Sequence, residues 1–366
     1  MRAWQVSAHG GPEALEFKEL PTPAPGPGQV RVAVRACALN RLDLWVRNGV
    51  PGHRFPLPLV LGSEVAGVVE ALGAGVEGLE AGTPALVAPG VSCGHCERCV
   101  SGEDQLCREY GILGEHRDGG YAEQVVVPRR NVLPLPRGLS FVEAAAVPLV
   151  FLTAWHMLER AGLRRGEDVL VHAAGSGVSS AAIQIARLLG ARAIVATAGS
   201  EAKLERAREL GATHTVDYRT ADFVPVAREA TGGKGVEVVV DHVGGEVFER
   251  SFKALAWAGR VVLCGATAGG EARINLRAVF FKSLSILGST MGTLGELHRL
   301  LPHFESGALV PVVDRTLPFE QAREAQAALE NREQFGKIVL TVGDPGEAHR
   351  VPRPRRPREA NKEAAP

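Results

Sequence analysis

The hydrophobic pattern changes character along the chain. Over residues 1 to about 130 the apolar residues come in short alternating runs, such as Val30-Arg31-Val32-Ala33-Val34 and Tyr121 to Val127, cut apart by Gly and Pro turns. That pattern predicts a small, irregular, mostly β unit. From about Thr153 strand-like runs alternate with helical periods. The runs are Asp168 to His172, Ala193 to Thr197, Thr213 to Tyr218, Val236 to Asp241, Val261 to Cys264 and Ser285 to Leu287, with helices starting at Val178 and Glu201. Strands alternating with helices predict an α/β fold built on a doubly wound parallel sheet. The helix from Val178 puts Val178, Ala181, Ala182, Ile185, Leu188 and Leu189 on one face and stops at Gly190, so that face packs on the sheet. Residues 292 to 343 add a helical segment, a strand-like Val310-Pro311-Val312-Val313, a helix from Gln321 to Glu330 and a strand from Lys337 to Val342, together read as a return to the first unit. From Asp344 to Pro366 no apolar period remains. This segment is read as a disordered tail, with six basic residues against four acidic ones.

Composition narrows the function classes. A chain of 366 residues with 45% apolar content is long enough for about two domains with sizeable cores. Lys plus Arg and Asp plus Glu both total 41, so no global field draws in nucleic acid or an anionic membrane surface. The N-terminal stretch lacks the apolar core of a signal peptide, and no run approaches the roughly 20 apolar residues of a membrane span. The expectation is a cytoplasmic protein that acts on a small molecule and binds neither nucleic acid nor membrane. In a reducing compartment clustered cysteines read as metal ligands or redox groups rather than disulfides. Cys37 and Cys264 stand alone in apolar runs and read as packing.

Two stretches carry chemistry. Between the run ending at His172 and its helix lies Ala173-Ala174-Gly175-Ser176-Gly177-Val178-Ser179. Small residues at a strand-to-helix turn let backbone N–H groups and a helix N-terminus approach a pyrophosphate. The full G-x-G-x-x-G pattern is not met, since its positions fall on Ala174, Ser176 and Ser179. The next strand ends Ala196-Thr197-Ala198-Gly199-Ser200, with no carboxylate to bind a ribose 2′-hydroxyl and with Lys203 close by. This favours NADP(H), while Glu201 keeps NAD open; Ser200 also fits a plain helix N-cap. The second stretch is Cys93, Cys96, Cys99 and Cys107, spaced C-x2-C-x2-C-x7-C. Four thiolates in fifteen residues suit one closed, structural tetrahedral zinc site, with His95 outside it. An iron–sulfur cluster is the rival, although its run is C-x2-C-x2-C-x3-C-P, and here the last gap is longer and Arg108 follows.

With these residues in place, the chain resembles the medium-chain dehydrogenase/reductase family of zinc alcohol dehydrogenases and quinone oxidoreductases from residue 1 to about 343. Gly62, Glu64, Gly67, Gly73 and Val76 meet the signature G-H-E-x2-G-x5-G-x2-V, with Ser63 where the signature has His. The resemblance implies a GroES-like β domain over 1–151 and 291–343, carrying a zinc lobe at 92–108, and a Rossmann domain over 152–290. A cleft between them would hold the substrate. It also places the three catalytic-zinc ligands of the alcohol dehydrogenases at Asn40, Ser63 and near Leu149, none of which supplies a thiolate or imidazole. Leu42 replaces the proton-relaying hydroxyl of C-H-T-D.

Asn40 and Asp43 match instead the N-x-x-D of the quinone oxidoreductases, and Gly199, Ser200, Lys203 and Tyr218 match that branch's NADPH positions; its Tyr after the Asp is Trp45 here. By resemblance the nicotinamide rests near Thr153, Val243, Gly244, Gly265, Ala266, Thr267 and Lys337. The implied activity is an NAD(P)H-dependent reduction of a quinone or α,β-unsaturated carbonyl without catalytic zinc. In it Asn40 donates to the developing oxyanion, Asp43 and Glu64 orient neighbours or relay a proton, and His116 is a further proton-donor candidate. Two other readings stay open. One is an alcohol dehydrogenase whose metal uses Glu64, Asp43 or His116; the other is a non-enzymatic dinucleotide-binding protein. The run Ser285 to Leu287 resembles the strand through which the family forms dimers, implying a homodimer or homotetramer.

Overall fold

The computed structural model describes residues 1–343; the tail expected over 344–366 lies outside the described residues. One sheet has six strands, all parallel, in the spatial order His214–Asp217, Ile194–Ala198, Val169–Val171, Val236–Asp241, Leu255–Leu263, Ser285–Gly288. In chain order this is 3-2-1-4-5-6, the doubly wound arrangement, and its reversal lies between Val169–Val171 and Val236–Asp241. Helices cover both faces, which is why these central strands read as continuous apolar runs: Val169, Leu170, Val171, Val238, Val239 and Val240 are all fully buried.

The second body is a seven-stranded sheet organised by Gln29–Ala38. That strand pairs antiparallel with Glu64–Leu72, Gln124–Pro128 and Lys337–Thr341. Lys337–Thr341 runs parallel to Val313–Pro318, so the end of the described chain completes a sheet begun by residue 29. The fold is α/β, a GroES-like β domain with a Rossmann-type parallel sheet.

Several expectations need correction. Val310-Pro311-Val312 is not a strand; the strand begins at Val313. Pro311 has no N–H to give to a ladder, and both backbone groups of Val310 bond the Gln184 side chain instead, at 2.9 and 3.0 Å. The run from Tyr121 is in strand only from Gln124. The sequence pattern also missed the helices Phe223–Ala230, Gly245–Ala254 and Leu276–Phe281. The first carries Pro225 and the second opens on two glycines. The third buries none of its residues: Leu276, Phe280 and Phe281 are each about 70% exposed, beside the edge strand Ser285–Gly288. No helix among the described residues is long and apolar enough to cross a membrane.

Candidate functional site

Two of the three positions that resemblance assigns to metal ligands, Asn40 and Leu149, bond one buried carboxylate. Glu64 opens the strand Glu64–Leu72 and is fully buried. Its Oε1 accepts from the backbone N–H of Leu149 at 2.7 Å and of Val150 at 3.1 Å, at the start of helix Val150–Arg160. Its Oε2 accepts from Asn40 Nδ2 at 3.1 Å and lies 2.6 Å from Lys337 Nζ. Lys337 also donates to Asn40 Oδ1 at 2.7 Å and to the carbonyl of Leu39, with its side chain only 4% exposed. An ammonium group and a carboxylate thus meet beside positions that the resemblance assigns to metal ligands. Ser63, adjacent in sequence, is buried with its hydroxyl unpaired. Amide, hydroxyl and aliphatic side chains do not make a zinc donor set, so the residues here do not fit a catalytic zinc.

This geometry revises two sequence expectations. Both hydrogens of the Asn40 amide are taken, by Glu64 and by the carbonyl of Ala38 at 3.3 Å, so Asn40 positions Lys337 and Glu64 and has no free hydrogen for an acceptor oxygen. Lys337 lies in this buried cluster, its stem pressed under the cofactor turn, where a Cβ on Gly177 would come within 2.7 Å of Lys337 Cδ. Asp43 forms the next layer. Its Oδ2 accepts from Asn40 N at 2.7 Å, capping helix Arg41–Asn48, and from Tyr121 Oη at 3.1 Å. Burial raises the Asp43 carboxyl to about 6 and pushes the Tyr121 phenol well above its usual value.

The cofactor turn sits at the reversal of the parallel sheet. Ser176 caps helix Gly177–Leu188, its Oγ accepting from Ser179 N at 3.0 Å, and its carbon neighbour Val178 begins the packed face. Lys203 and Tyr218 fold over the two glycines: a Cβ on Gly175 would meet Lys203 Cδ at 3.0 Å, and one on Gly199 would meet Tyr218 Oη at 2.5 Å. Ser200 caps helix Glu201–Leu210, and Glu201 turns along that helix to Arg208 Nη1 at 2.8 Å. Across the crevice, Val243 and Gly244 donate to Asp241 Oδ1 at 2.6 and 2.9 Å, and Thr267 donates to the carbonyl of His242 at 3.2 Å. Gly244 has φ +75°, and a Cβ there would meet Ala266 at 3.0 Å, so close chain packing alone requires this glycine. A Cβ on Gly265 would lie 3.8 Å from Trp45 of the other body, which marks the cleft. Thr153, on helix Val150–Arg160, is buried with its hydroxyl unpaired. A glycine-lined turn at a helix N-terminus, with a polar atom left unpaired, fits a dinucleotide.

Sequence reasoning missed His242, whose Nε2 lies 2.9 Å from both Ser176 Oγ and Ser179 Oγ and so ties the fourth strand to the cofactor turn. Desolvation lowers this imidazole to about 4, keeping it neutral. Its sequence signal was the polar pair Asp241-His242 closing an apolar strand. The missed Gly336 donates to the carbonyl of Gly175 at 2.9 Å, docking the last strand on the same turn.

In the lobe, the four thiols of Cys93, Cys96, Cys99 and Cys107 lie within 4.8 Å of one another, none in a disulfide. The Cys93–Cys99 and Cys96–Cys99 sulfurs are 3.8 and 3.6 Å apart. A tetrahedral zinc with bonds near 2.3 Å sets its sulfurs about 3.8 Å apart, so the donors fit. Backbone N–H groups of Gly94, Cys96 and Glu109 point at the sulfurs, at 3.3 to 3.4 Å. His95 bonds the carbonyl of Cys93. His116 is not with Asn40: it sits in a separate cluster with His53 and Glu115. Among the described residues, Glu64, Asp43 and His116 do not come together as a metal-ligand group.

Fold and site define a two-body oxidoreductase with a nicotinamide-type crevice and a zinc-type lobe. Residues 177–306 match the zinc-binding dehydrogenase family, and residues 26–137 match the alcohol dehydrogenase GroES-like domain. The chain belongs to the medium-chain dehydrogenase/reductase family. It is 32% identical to an NAD-dependent alcohol dehydrogenase of Sulfolobus acidocaldarius, over 93% of this chain and 100% of that one. It is 31% identical to the quinone oxidoreductase of Rattus norvegicus, over 93% of this chain and 98% of that one. A crystal structure of an NAD-dependent alcohol dehydrogenase is 54% identical, covers 94% of this chain and 100% of its own, and superposes with a TM-score of 0.90.

Proposed function

We propose that the protein is an NADP(H)-dependent reductase of activated carbonyl compounds, quinones or α,β-unsaturated carbonyls, with no catalytic zinc and one structural zinc in the cysteine lobe. The bonds of Asn40 and the Leu149 backbone to the Glu64–Lys337 pair, with Ser63 buried and unpaired beside it in sequence, carry this reading. A bound dihydronicotinamide supplies a hydride, which only an electrophilic carbon accepts. Without a Lewis acid a simple ketone is a poor acceptor, whereas a quinone or enone delocalises the incoming charge. The Lys337 ammonium lies in a nearly dry pocket with its three N–H groups engaged by Glu64, Asn40 and the carbonyl of Leu39, so it braces this cluster beneath the cofactor turn. Glu64 and Asn40 hold that ammonium in place. Tyr121 and Asp43, with Asp43 raised to about 6, form a pair able to hold a proton near neutral pH.

NADP(H) is favoured by the Lys203 side chain over Gly175 and by Glu201, which is committed to Arg208 and turned off the strand tip. A charge-assisted contact contributes about 1.5–3 kcal/mol, so Lys203→Ala raises the NADPH KM by roughly ten- to a hundredfold and leaves the NADH value nearly unchanged. Equal losses for both cofactors would show that Lys203 meets the shared pyrophosphate.

A second reading, an NAD-dependent alcohol dehydrogenase, is favoured by the name of the 54%-identical structure. Stopped-flow oxidation of NADPH and NADH, each with a quinone and a simple aldehyde, separates the two. Fast NADPH oxidation by the quinone supports the reductase; preferential turnover of NADH with the aldehyde establishes the alternative.

We also propose a homodimer formed through the edge strand Ser285–Gly288 and the exposed Leu276, Phe280 and Phe281. Ile286→Lys is expected to shift the sedimentation velocity peak to monomer, and an unchanged peak would place the interface elsewhere.

A further inference from the structure

Away from the crevice and the cysteine lobe, two imidazoles and a carboxylate meet. His53 lies in the turn after helix Arg41–Asn48, and Glu115 and His116 lie in the turn after strand Gly111–Ile112. One ligand atom from each falls within 4.8 Å of the other two. Glu115 Oε1 is 3.7 Å from His53 Nε2, and Glu115 Oε2 is 3.6 Å from His116 Nδ1. Both separations exceed a hydrogen bond, so the carboxylate faces two imidazoles without bonding either. The two rings stand at 86° to each other with centroids 6.1 Å apart.

Burial makes the arrangement unusual. The Glu115 side chain is only 13% exposed, while His53 and His116 are about 40% exposed. Among the described residues no hydrogen bond reaches either Glu115 oxygen. A carboxylate drawn out of water without a bonded partner is costly, and a cation removes that cost. A tetrahedral ion with N and O ligands near 2.1 Å sets its donors about 3.4 Å apart, close to the two carboxylate-to-imidazole separations, and rotation of the half-exposed imidazoles brings the third pair in from within 4.8 Å. The N–H of Ile112 donates to His116 Nδ1 at 3.3 Å, a long bond that a metal at that nitrogen would replace.

We propose that His53, Glu115 and His116 bind a divalent transition metal of the zinc or cobalt type, at a site distinct from the cysteine lobe. Three protein ligands leave a further coordination position for water or an oxygen donor, unlike the closed four-sulfur lobe. The turn that carries Glu115 and His116 is stacked on Gly62, two residues ahead of Glu64: a Cβ on Gly114 would lie 2.5 Å from Gly62 N, and one on Gly119 would lie 2.1 Å from Gly62 O.

The test is a Co2+ titration of full-length protein that carries one zinc per chain, held by the cysteine lobe, read by visible absorption. The expected result is a saturable, stoichiometric rise in d–d bands without thiolate-to-cobalt charge transfer. His53→Ala and Glu115→Gln each abolish it while keeping the thermal melt of the parent. Absence of the bands, bands accompanied by thiolate charge transfer, or bands unchanged in His53→Ala would overturn the site. Cobalt binding here needs neither cofactor nor acceptor, so its outcome is independent of the reductase assignment.

Discussion

Lys337→Met is expected to destabilise the protein by about 3–5 kcal/mol, because it strands the Glu64 carboxylate in a pocket without water. Glu64 is fully buried and Lys337 nearly so, and the pair is 2.6 Å apart. Glu64 would keep its bonds from Leu149, Val150 and Asn40, but these do not neutralise a buried charge. Denaturant melts of Lys337→Met, Glu64→Gln and the double variant form a mutant cycle. The double variant should recover most of the loss, since a neutral amide beside Met leaves no naked charge. A single-variant cost below about 1 kcal/mol would mean that water reaches the pair and that the pocket is not dry.

The second large effect belongs to the lobe. Cys93→Ser is expected to remove the zinc, to strip amide-exchange protection from residues 92–108, and to lower stability by at least about 3 kcal/mol, given that structural zinc contributes on the order of 10 kcal/mol in isolated small domains. The damage should spread to helix Leu294–Glu305, because Asp104 of the lobe accepts from the N–H of Leu294 at 3.1 Å. At a temperature where the variant remains folded, quinone turnover should change by less than about threefold, a modest loss for a site remote from the reacting atoms. If turnover collapsed while the melt stayed put, the lobe metal would be doing chemistry.

Much of this was legible in the sequence, for identifiable reasons. The parallel strands were visible because burial on both faces makes them continuous apolar runs. The four cysteines were visible because their ligand atoms are close in sequence as well as in space. The cofactor turn could be located, although its glycines are required partly by packing: Gly177 is held against Lys337 and Val150. The buried Glu64–Lys337 pair was harder. Glu64 and Lys337 carry no local pattern that declares them partners, and nothing in Asn40 shows that its amide is already occupied. His53 and Glu115 drew no notice because they meet through two turns, and turns have no period. Phe223–Ala230 went unseen because Pro225 in its first turn reads as a break, and Leu276–Phe281 because a six-residue helix with its apolar residues left outside gives no amphipathic signal.

The placement of Lys337 on the last strand has a consequence for how the protein comes into being. Lys337 lies 297 residues from Asn40, and Gly336 docks on the cofactor turn 161 residues earlier at Gly175. During translation, then, the parallel sheet can assemble while Glu64 and Asn40 still wait for their cation. The nascent chain reaches a competent pocket only after its final strand leaves the ribosome and inserts between Gln29–Ala38 and Val313–Pro318. A chain stopped before Lys337 therefore carries the buried Glu64 carboxylate without the ammonium that pairs with it.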